Sequence, residues 1–355
     1  MLLLTYKCNL HCSYCYEPKA VHKRMPVATA KKILQEQLEN LEAEYDSVEI
    51  HFMGGEPLLE YPRIVEICEW LWSSELDKGR KIICFAPTNG TLLNEEMKSW
   101  FFKNRERITL GLSFDGNLSM QNANRSNSSF SVDLDFFIKT WPRQSVKMTV
   151  SPDTVGNLYD GVQYLQRKGF ENVAADLALG DNVPWTPEHL NIFKQELSKF
   201  VDLYSREPDA NRFSMFGMNV TDVLKPHPSG PVKSCVCGES LVCFDCDGQE
   251  YGCHLFSPIS IDYAKAKYVQ TNIDFKNHSL FESVKCKQCL LNTLCNRCGG
   301  MNYICTGDVS KPSPFHCSAF KLIFAANCRL QLNIAKNSNN ETNYKHIVSI
   351  ISKLK

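Results

Sequence analysis

Three cysteines early in the chain have a spacing suited to binding an iron–sulfur cluster. Cys8, Cys12 and Cys15 form a C-x3-C-x2-C pattern directly after a short β-rich run. Thiolates are soft ligands that suit iron–sulfur clusters, and a cubane of four irons needs four ligands. Three cysteines would therefore leave one iron open to a substrate or a cofactor. Zinc is the weaker alternative, because a structural zinc site takes four protein ligands and His11 lacks the spacing of a zinc finger.

Most of the other cysteines lie in one region of the C-terminal half. The chain has 17 cysteines, and 12 of them fall between Cys235 and Cys328. The sequence shows no signal peptide, and thiols in the cytosol stay reduced, so this number indicates metal or redox chemistry rather than disulfides. Cys68 and Cys84 stand apart in apolar stretches and are predicted to be buried core residues.

The cysteine-rich region has a regular spacing. Cys237, Gly248 and Cys253 give C-x10-G-x4-C, and a run that begins at Cys286 gives C-x2-C-x5-C-x2-C before a last cysteine, Cys317. Taken alone, this pattern has a pair of zinc sites as a strong alternative. The colour of the protein would decide between them, because iron–sulfur clusters give a brown protein whose visible absorption bleaches on reduction.

Charge and hydropathy exclude several classes of partner. Lysine plus arginine and aspartate plus glutamate both number 39, so no global field would attract nucleic acid or an acidic membrane surface. No segment is apolar enough to span a bilayer. We therefore expect a cytoplasmic protein that binds neither nucleic acid nor a membrane, and whose partners are chosen by local surfaces.

The elements that position the first cysteines are short β-rich runs that alternate with helical patterns. This alternation is typical of βα units that build a parallel sheet with right-handed crossovers. Function is then expected just after the strands, at their carboxyl ends. The predicted strands are Met1 to Tyr6, Ser47 to Met53, Lys81 to Pro87, Ile108 to Phe114, Val146 to Val150 and Val173 to Leu179.

Apolar residues at helical spacing lie between these strands. Six βα units would form a curved sheet that does not close as an eight-stranded barrel does. The predicted helices are Ala28 to Leu41, Ile64 to Leu76, Glu95 to Phe102, Leu134 to Trp141, Leu158 to Lys168 and Pro187 to Tyr204.

The chain divides into four predicted parts. Residues 1–205 form the α/β core, and residues 206–230 form a connection that contains proline and glycine. Residues 231–330 form the cysteine-rich domain. Residues 331–355 form a tail, in which a polar linker that starts at Ala335 is expected to lead into a short helix.

The cysteine loop, its place after the first strand and the aromatic Tyr14 resemble the radical S-adenosylmethionine (SAM) superfamily. This resemblance implies a partial (β/α)6 barrel. Residues 53–57, Met-Gly-Gly-Glu-Pro, are similar to the GGEP element of that family, whose backbone and acidic residue receive the SAM amino group. The resemblance therefore assigns Gly54, Gly55, Glu56 and Pro57 to SAM binding.

Two further segments resemble the family at later strands. Residues 88–91, Thr-Asn-Gly-Thr, follow the third strand, and residues 113–116, Ser-Phe-Asp-Gly, follow the fourth. In the family, polar groups at these strand ends hold the ribose and carboxylate of SAM, so the resemblance implies such roles for Asn89, Ser113 and Arg125. A turn and a surface arginine are the alternative interpretation.

The resemblance also implies the chemistry. The reduced [4Fe-4S] cluster would pass one electron into the sulfonium of SAM, releasing methionine and a 5'-deoxyadenosyl radical that abstracts a substrate hydrogen atom. The cofactor would carry the difficult step. The protein would orient one substrate carbon and exclude water and oxygen.

The cysteine-rich region resembles the SPASM extension of radical SAM enzymes that mature peptides and proteins. The spacing before Cys298 is one residue shorter than the family pattern. The resemblance implies two auxiliary [4Fe-4S] clusters, and Cys235 or Cys246 could replace Cys243 as a ligand. Cys235, Cys246, Cys305 and Cys328 have no assigned partner. The first auxiliary set is Cys237, Cys243, Cys253 and Cys298, and the second is Cys286, Cys289, Cys295 and Cys317.

The resemblance favours a peptide-modifying enzyme that forms thioether or carbon–carbon crosslinks. Sulfatase-maturating enzymes, the alternative, carry an aspartate directly after the G-x4-C cysteine, whereas this chain has His254 there. His254 could act as a base, or it could be an ordinary hydrogen-bonded histidine. A non-catalytic, metal-stabilised scaffold that binds peptides is a further alternative, which production of 5'-deoxyadenosine would eliminate.

The expected partners are a peptide or protein substrate and an external one-electron reductant of the flavodoxin or ferredoxin type. Many peptide maturases begin with a domain that binds the leader of the precursor peptide. Only seven residues precede Cys8. Leader recognition is therefore expected to use the barrel, the cysteine-rich surface, a separate protein or an upstream segment.

Overall fold

A computed structural model describes residues 1–17, 22–42, 44–225 and 230–353. Six parallel strands follow one another in chain order, and a short hairpin from the cysteine-rich region extends the sheet. Each predicted strand is present, with ends that differ by no more than two residues. The strands are β1 (Leu2–Thr5), β2 (Ser47–Gly54), β3 (Lys81–Thr88), β4 (Ile108–Leu112), β5 (Val146–Val150), β6 (Val173–Leu177), β7 (Cys243–Phe244) and β8 (Glu250–Tyr251).

The six strands form one curved, open array. Strands β1 to β4 pair in parallel with their neighbours in the chain, as do β5 and β6. A parallel bridge between Ser113 and Lys147 joins the two groups, and Phe114 N donates to Lys147 O at 2.8 Å. This arrangement confirms the predicted α/β fold with a partial (β/α)6 barrel. All six carboxyl ends therefore open toward the same side of the molecule.

Helices cover the outside of the sheet. The six predicted helices are present, although α2 begins three residues earlier than expected. Helix α4 and the helices of the cysteine-rich region were not predicted. The helices are α1 (Val27–Glu39), α2 (Tyr61–Ser73), α3 (Glu95–Lys103), α4 (Leu118–Asn124), α5 (Leu134–Thr140), α6 (Leu158–Lys168), α7 (Pro187–Arg206), α8 (Tyr263–Asn272), α9 (Val284–Lys287), α10 (Gly299–Thr306), α11 (Pro314–Asn337) and α12 (Glu341–Ser352).

Local sequence signals explain where several helices begin and end. Asn94 accepts a hydrogen bond from Met97 N and so caps α3, whose first turn also carries two glutamates that favour the positive end of the helix dipole. Helix α7 begins with a proline at its first position, where no amide donor is needed. Helix α6 ends at Gly169, which adopts φ 110°.

The core is continuous from β1 to the long helix α11. It includes Phe52, Phe114 and Phe200, all fully buried. Cys68 and Cys84 are also fully buried there, which confirms their prediction as core residues. In the described residues, no helix is long and apolar enough to cross a membrane.

The connection between the two predicted domains is packed rather than loose. Residues 226–229 of the predicted connection lie outside the described residues. Before them, Phe213 and Phe216 are buried in the main core, and Val220 packs with α11 and α12 residues in a smaller cluster. The division of the chain at residue 230 stays a prediction.

The tail differs from the expected polar linker. Helix α11 continues through Asn337, and three residues separate it from α12. Ile347 and Ile350 of α12 are completely buried against Val220 and Val223. Burial of these side chains holds the last helix on the molecule, so the prediction of a linker from Ala335 was wrong for the first residues of that segment.

The cysteine-rich region is attached to the barrel through a shared sheet. Strand β7 pairs in parallel with β1, with Leu2 opposite Phe244, and β8 pairs with β7 in antiparallel fashion. The thiol of Cys246 donates to Leu3 O at 3.1 Å. The region also has a small core of its own, centred on Phe256 and Phe281. Strand β7 thus covers the edge of β1 that the barrel leaves open.

Candidate functional site

The cysteine loop follows β1 and is held by backbone contacts. Leu10 N donates to the sulfur of Cys8 at 3.4 Å, and Cys15 N donates to Cys12 O at 3.2 Å. Ser13 N donates to Asn124 O at 2.9 Å, at the end of α4. All three cysteines are partly exposed. The loop therefore presents its thiols at the carboxyl edge of the sheet, where the sequence pattern predicted them.

The segment after α4 contacts the same loop and contains two residues in an unusual conformation. Ser126 and Asn127 have φ values of 53° and 55°, in the left-handed region that only a few per cent of non-glycine residues adopt. The Ser126 hydroxyl accepts a hydrogen bond from His11 N at 2.9 Å. A non-glycine residue in this region has a strained backbone, and it keeps that conformation only where the surrounding structure holds it there. Sequence reasoning missed Ser126.

Gly54 and Gly55 let the turn after β2 pack directly against the cysteine loop. Gly54 has φ 146°, and a Cβ atom there would collide with the carbonyl oxygen of Thr5. A Cβ atom on Gly55 would lie 2.6 Å from Lys7 O. Gly55 N donates to Thr5 O at 3.1 Å, and the following amide donates to Lys7 O. Only glycine fits this close approach of two backbones.

The carboxylate of Glu56 is saturated by protein donors. Its oxygens accept from Leu58 N at 3.0 Å, from the Thr88 hydroxyl at 2.9 Å and from Asn89 N at 2.8 Å. Burial raises the pKa of Glu56, and these three hydrogen bonds oppose the rise. Pro57, also buried, begins the turn that follows. In this structure the Glu56 side chain joins the ends of β2 and β3. Its contact with a SAM amino group stays a prediction.

Asn89 links the end of β3 to the cysteine loop. Its amide nitrogen donates to the side-chain oxygen of Asn9 at 2.9 Å, and the amide nitrogen of Asn9 donates to the Thr91 hydroxyl at 2.8 Å. Ser113 lies half-buried at the end of β4, where its backbone amide donates to Thr88 O. The predicted polar residues therefore do line the edge that carries the cysteines.

Arg125 forms a buried ion pair below the cysteine loop. Its Nε lies 3.1 Å from the Asp115 carboxylate, which also accepts from the Tyr14 hydroxyl at 2.6 Å. Burial alone would lower the pKa of Arg125, but the charge of Asp115 outweighs it and the pKa is raised. The guanidinium carbon lies 5.5 Å from the centre of the Tyr14 ring. Asp115 thus fixes both Tyr14 and Arg125, so Arg125 is not a surface arginine.

A further thiol, that of Cys235, lies beside the first auxiliary set. Burial raises the pKa of Cys253 to about 12. Gly238 N donates to Gly252 O at 3.0 Å, which brings the segments that carry Cys237 and Cys253 together. The sulfur of Cys235 lies 3.4 Å from that of Cys237. Cys243 is completely buried and is influenced by the charge of Cys253. Cys235, left unassigned from the sequence, therefore belongs to this group of thiols.

The second auxiliary set comes together from three short segments. Burial raises the pKa of Cys295 to about 12, and the charges of Cys317, Cys286 and Cys289 add to that rise. The same thiols act on Cys317, at the start of α11. Cys289 N donates to Cys286 O at 3.0 Å, and the sulfur of Cys295 lies 3.6 Å from Nε2 of His316, the residue before Cys317. The four cysteines therefore lie in one region. The resemblance implied that these four cysteines lie close together, and the structure places them so.

Three other cysteines of this region have contacts of their own. Cys246 is buried against β1, as described above. Cys328 is buried with Phe324 and Ile347 in the cluster under α12. Cys305 lies partly exposed on α10 near Gly180. In the described residues, no three cysteine, histidine or carboxylate side chains converge closely enough for one ion. A four-iron cluster is larger than an ion and holds its thiolates farther apart.

His254 contacts both cysteine-bearing regions. Its Nε2 lies 3.2 Å from the hydroxyl of Tyr16, the residue after Cys15, and its Nδ1 lies 3.5 Å from the sulfur of Cys253. Burial lowers the pKa of His254 to about 4, so the imidazole is neutral at physiological pH. Sequence reasoning missed Tyr16, for which an aromatic residue directly after the last loop cysteine was the available signal.

A cavity of about 400 Å³ opens between the two regions. Its walls come from the cysteine loop, from the segment after β6 and from the cysteine-rich region. Cavities of this size bind small molecules or single side chains of a larger ligand. Among the residues that line it are Cys15, Tyr16, Asp181, Asp262, Lys265 and Tyr303.

Comparisons with known proteins agree with this architecture. Residues 2–116 match the family model of the radical SAM superfamily, which confirms the resemblance of the N-terminal motifs. The chain is 24% identical over 367 residues to a cysteine-type anaerobic sulfatase-maturating enzyme of Clostridium perfringens, covering 93% of this chain and 96% of that protein.

Solved structures share the fold. Native anSMEcpe with bound AdoMet superposes with a TM-score of 0.72 at 22% identity, covering 95% of this chain and 99% of that one. Streptococcus suis SuiB bound to its precursor peptide SuiA superposes with a TM-score of 0.57 at 14% identity, covering 89% and 74%. The likeness extends through the cysteine-rich region as well as the barrel.

Proposed function

We propose that this chain, whose residues 2–116 form a radical SAM domain, is an enzyme that modifies a side chain of a peptide or protein substrate. The cavity between the cysteine loop and the cysteine-rich region carries this proposal, because it places Cys15 and Tyr16 in the wall of a space open to a side chain. An anaerobic sulfatase-maturating enzyme and SuiB, whose structure holds a precursor peptide, have the same architecture.

The residues present fit the cofactors that this family uses. Cys8, Cys12 and Cys15 would hold a [4Fe-4S] cluster with one open iron, which suits the binding of SAM. The first auxiliary set and the second auxiliary set would each hold a further [4Fe-4S] cluster. When bound, the cluster with the open iron would supply a one-electron cleavage of SAM that yields a carbon radical able to take a hydrogen atom from the substrate.

The chain's own residues position the reactants. The glycines at 54 and 55 and the hydrogen bonds of Glu56 hold the ends of β2 and β3 against the cysteine loop. Asn89 and Ser113 lie at the same edge and would bind SAM. Arg125, fixed by Asp115, would bind its carboxylate. The cavity walls would hold one substrate carbon near the cysteine loop and exclude water.

Thioether or carbon–carbon crosslinking is the favoured outcome, and formylglycine formation is the second candidate. His254 supports the first, because the position after the G-x4-C cysteine carries an aspartate in the sulfatase-maturating enzymes. His254 is neutral and contacts Tyr16 and Cys253, so its contacts favour positioning of the two regions over proton abstraction from a substrate. The likeness over nearly the whole chain to a sulfatase-maturating enzyme supports the second candidate.

Anaerobic assays with reconstituted protein test the proposal. The protein, dithionite and SAM are incubated with two peptides, a candidate precursor from a small neighbouring reading frame and a sulfatase peptide with the cysteine to be oxidised. Formation of 5'-deoxyadenosine with a mass loss of about two hydrogens from the precursor supports crosslinking. Formylglycine in the sulfatase peptide favours the second candidate. Absence of 5'-deoxyadenosine from fully iron-loaded protein would contradict both.

An external one-electron reductant completes the proposal. A flavodoxin or ferredoxin is the expected donor, because each cleavage of SAM consumes one electron. The expected substrate is a peptide or protein, with no nucleic acid or membrane among the partners.

A further inference from the structure

The surface that carries the second auxiliary set is basic, although the protein as a whole is balanced in charge. Residues 283–340 contain seven lysine or arginine side chains and a single carboxylate, that of Asp308. This stretch includes α9 and α11, the two helices that carry Cys286 and Cys317. A local excess of one sign on a neutral protein creates a field that attracts partners of the opposite sign.

Three exposed lysines lie beside the second auxiliary set, and we name them the lysine patch. Lys285 and Lys287 flank Cys286 on α9, and Lys321 lies one turn after Cys317 on α11. Residues four apart on a helix lie on the same face, so Lys321 lies on the face of α11 that carries Cys317.

The lysine patch has no neutralising acid within ion-pair distance among the described residues. The acid nearest to it in sequence, Glu282, has a side chain that is only 4% exposed and lies 3.9 Å from Arg297. Glu282 also accepts a hydrogen bond from Asn292 at 2.7 Å. The positive charge of the patch is therefore open to an external partner.

An apolar side chain stands next to these charges. Val284, the first residue of α9, is 74% exposed. A few exposed apolar atoms ringed by lysines make a small docking surface typical of transient electron-transfer contacts. The residues that line the substrate cavity include none of these four.

We propose that the lysine patch and Val284 form the docking surface for an acidic one-electron carrier protein of the flavodoxin or ferredoxin type. The carrier would lose one electron, and the iron–sulfur group of the second auxiliary set would gain it, with no bond made or broken. The inference rests on the proposed function, because it requires that the four cysteines of this set hold a cluster.

The position of the thiols favours this occupant over a substrate peptide. Cys289, Cys295 and Cys317 are partly exposed, so the second set lies close to the protein surface under the patch. A transient electron carrier needs a short path from its own redox group to a buried one, together with fast association. Complementary charge on the two proteins gives fast association, because it raises the rate at which they collide at low salt.

Binding measurements test the docking surface without relying on turnover. Oxidised acidic flavodoxin is titrated by calorimetry into the iron-loaded protein, its Lys285→Glu/Lys287→Glu variant and its Lys321→Glu variant. The control is Lys139→Glu/Lys194→Glu, which reverses two exposed helix lysines outside this region. Iron content is measured for each protein, so that only variants with full clusters are compared.

We expect about tenfold weaker flavodoxin binding for Lys285→Glu/Lys287→Glu at low salt and a smaller loss for Lys321→Glu. The difference from the parent protein should shrink at high salt, where the charges are screened. Dithionite-driven 5'-deoxyadenosine formation should stay unchanged, since dithionite needs no docking surface.

Equal flavodoxin affinity for all four proteins would overturn the inference. Weaker binding of the substrate peptide rather than of flavodoxin would also overturn it, because the patch would then serve the substrate. Loss of dithionite-driven activity in an iron-replete variant would place these lysines in the function of the cluster itself and would reject a docking role. The proposed function is tested separately by the unmodified chain with dithionite.

Discussion

The hydroxyl of Tyr16 lies 3.2 Å from Nε2 of His254, although the two residues are 238 positions apart. Tyr16 directly follows a cysteine of the first loop, and His254 directly follows a cysteine of the first auxiliary set. Both side chains are largely removed from water, and burial raises the pKa of Tyr16 well above its usual value. Both groups are therefore neutral, and their contact connects the two metal-binding regions beside the cavity.

Replacing Tyr16 with phenylalanine should lower peptide modification more than SAM cleavage. Removal of one buried hydrogen bond costs about 1 kcal/mol, which corresponds to a factor of about 3 to 10 in rate. We expect that loss in the rate of peptide modification, with iron content and substrate-free 5'-deoxyadenosine formation unchanged.

A double-mutant cycle checks that the loss arises from the pair. Tyr16→Phe/His254→Gln should be no more impaired than His254→Gln alone, because the second substitution has no contact left to remove. Additive losses would contradict a shared function for the two residues.

Cys8→Ala should abolish SAM cleavage and remove one cluster. Iron content should fall from about twelve to about eight per chain, because two cubanes remain. The same result is expected for Cys12→Ala and Cys15→Ala. Cys84→Ala is the matched control, since Cys84 is completely buried in the barrel core. This variant should keep all of its iron. Iron analysis and a 5'-deoxyadenosine assay decide, and cleavage by the Cys8 variant would refute the ligand assignment.

Cys286→Ala should damage the cysteine-rich region far more than Cys246→Ala. Cys286 would hold a cluster that joins three short segments, so its loss should give poorly soluble protein with low iron. Cys246 instead donates one hydrogen bond to Leu3 O, and its loss should cost about 1 kcal/mol with full iron content. Loss of a cluster from Cys246→Ala would require a new ligand set for the first auxiliary site.

Glu56→Gln should flatten the dependence of stability on pH. Burial raises the pKa of Glu56, so the native state holds its proton more tightly than the unfolded state. The resulting stability is fully present below about pH 4.3 and is lost as the pH rises through the folded pKa. The parent protein should therefore lose free energy of unfolding relative to the variant as the pH rises above about 4.3.

The glutamine amide would leave the amide of Asn89 without an acceptor, which adds a cost of about 1–3 kcal/mol that does not vary with pH. Urea unfolding at several pH values separates this constant cost from the slope. Identical slopes for the two proteins would contradict a raised pKa.

Local patterns predicted the barrel well because each strand carries its own signal. The β-strands are short apolar runs bounded by polar turns, and the glycines after β2 mark a close backbone approach that the structure shows. Helix α11 carried no such signal. It packs against α7 on one side and α12 on another, so its apolar residues do not form a single stripe, and buried Asn327 interrupts them.

Contacts between distant parts of the chain were beyond reach of the sequence pattern. The placement of Cys235 beside Cys237 depends on a turn, and the contact of Tyr16 with His254 depends on how the two regions dock. The saturation of Glu56 by donors from β3 is likewise a property of neighbouring strand ends. Spacing identified the ligand types, whereas tertiary packing decided which side chains contact one another.

The pairing of β7 with β1 has a consequence for the order of folding. Strand β1 leaves the ribosome before the rest of the barrel, but its outer neighbour contains Phe244, more than two hundred residues later. Until that segment emerges, the nascent barrel has an unpaired edge that can recruit another chain. Contacts over such a sequence separation also form slowly. A barrel expressed without the cysteine-rich region should therefore aggregate, and co-expression of residues 231–353 in trans should reduce that aggregation.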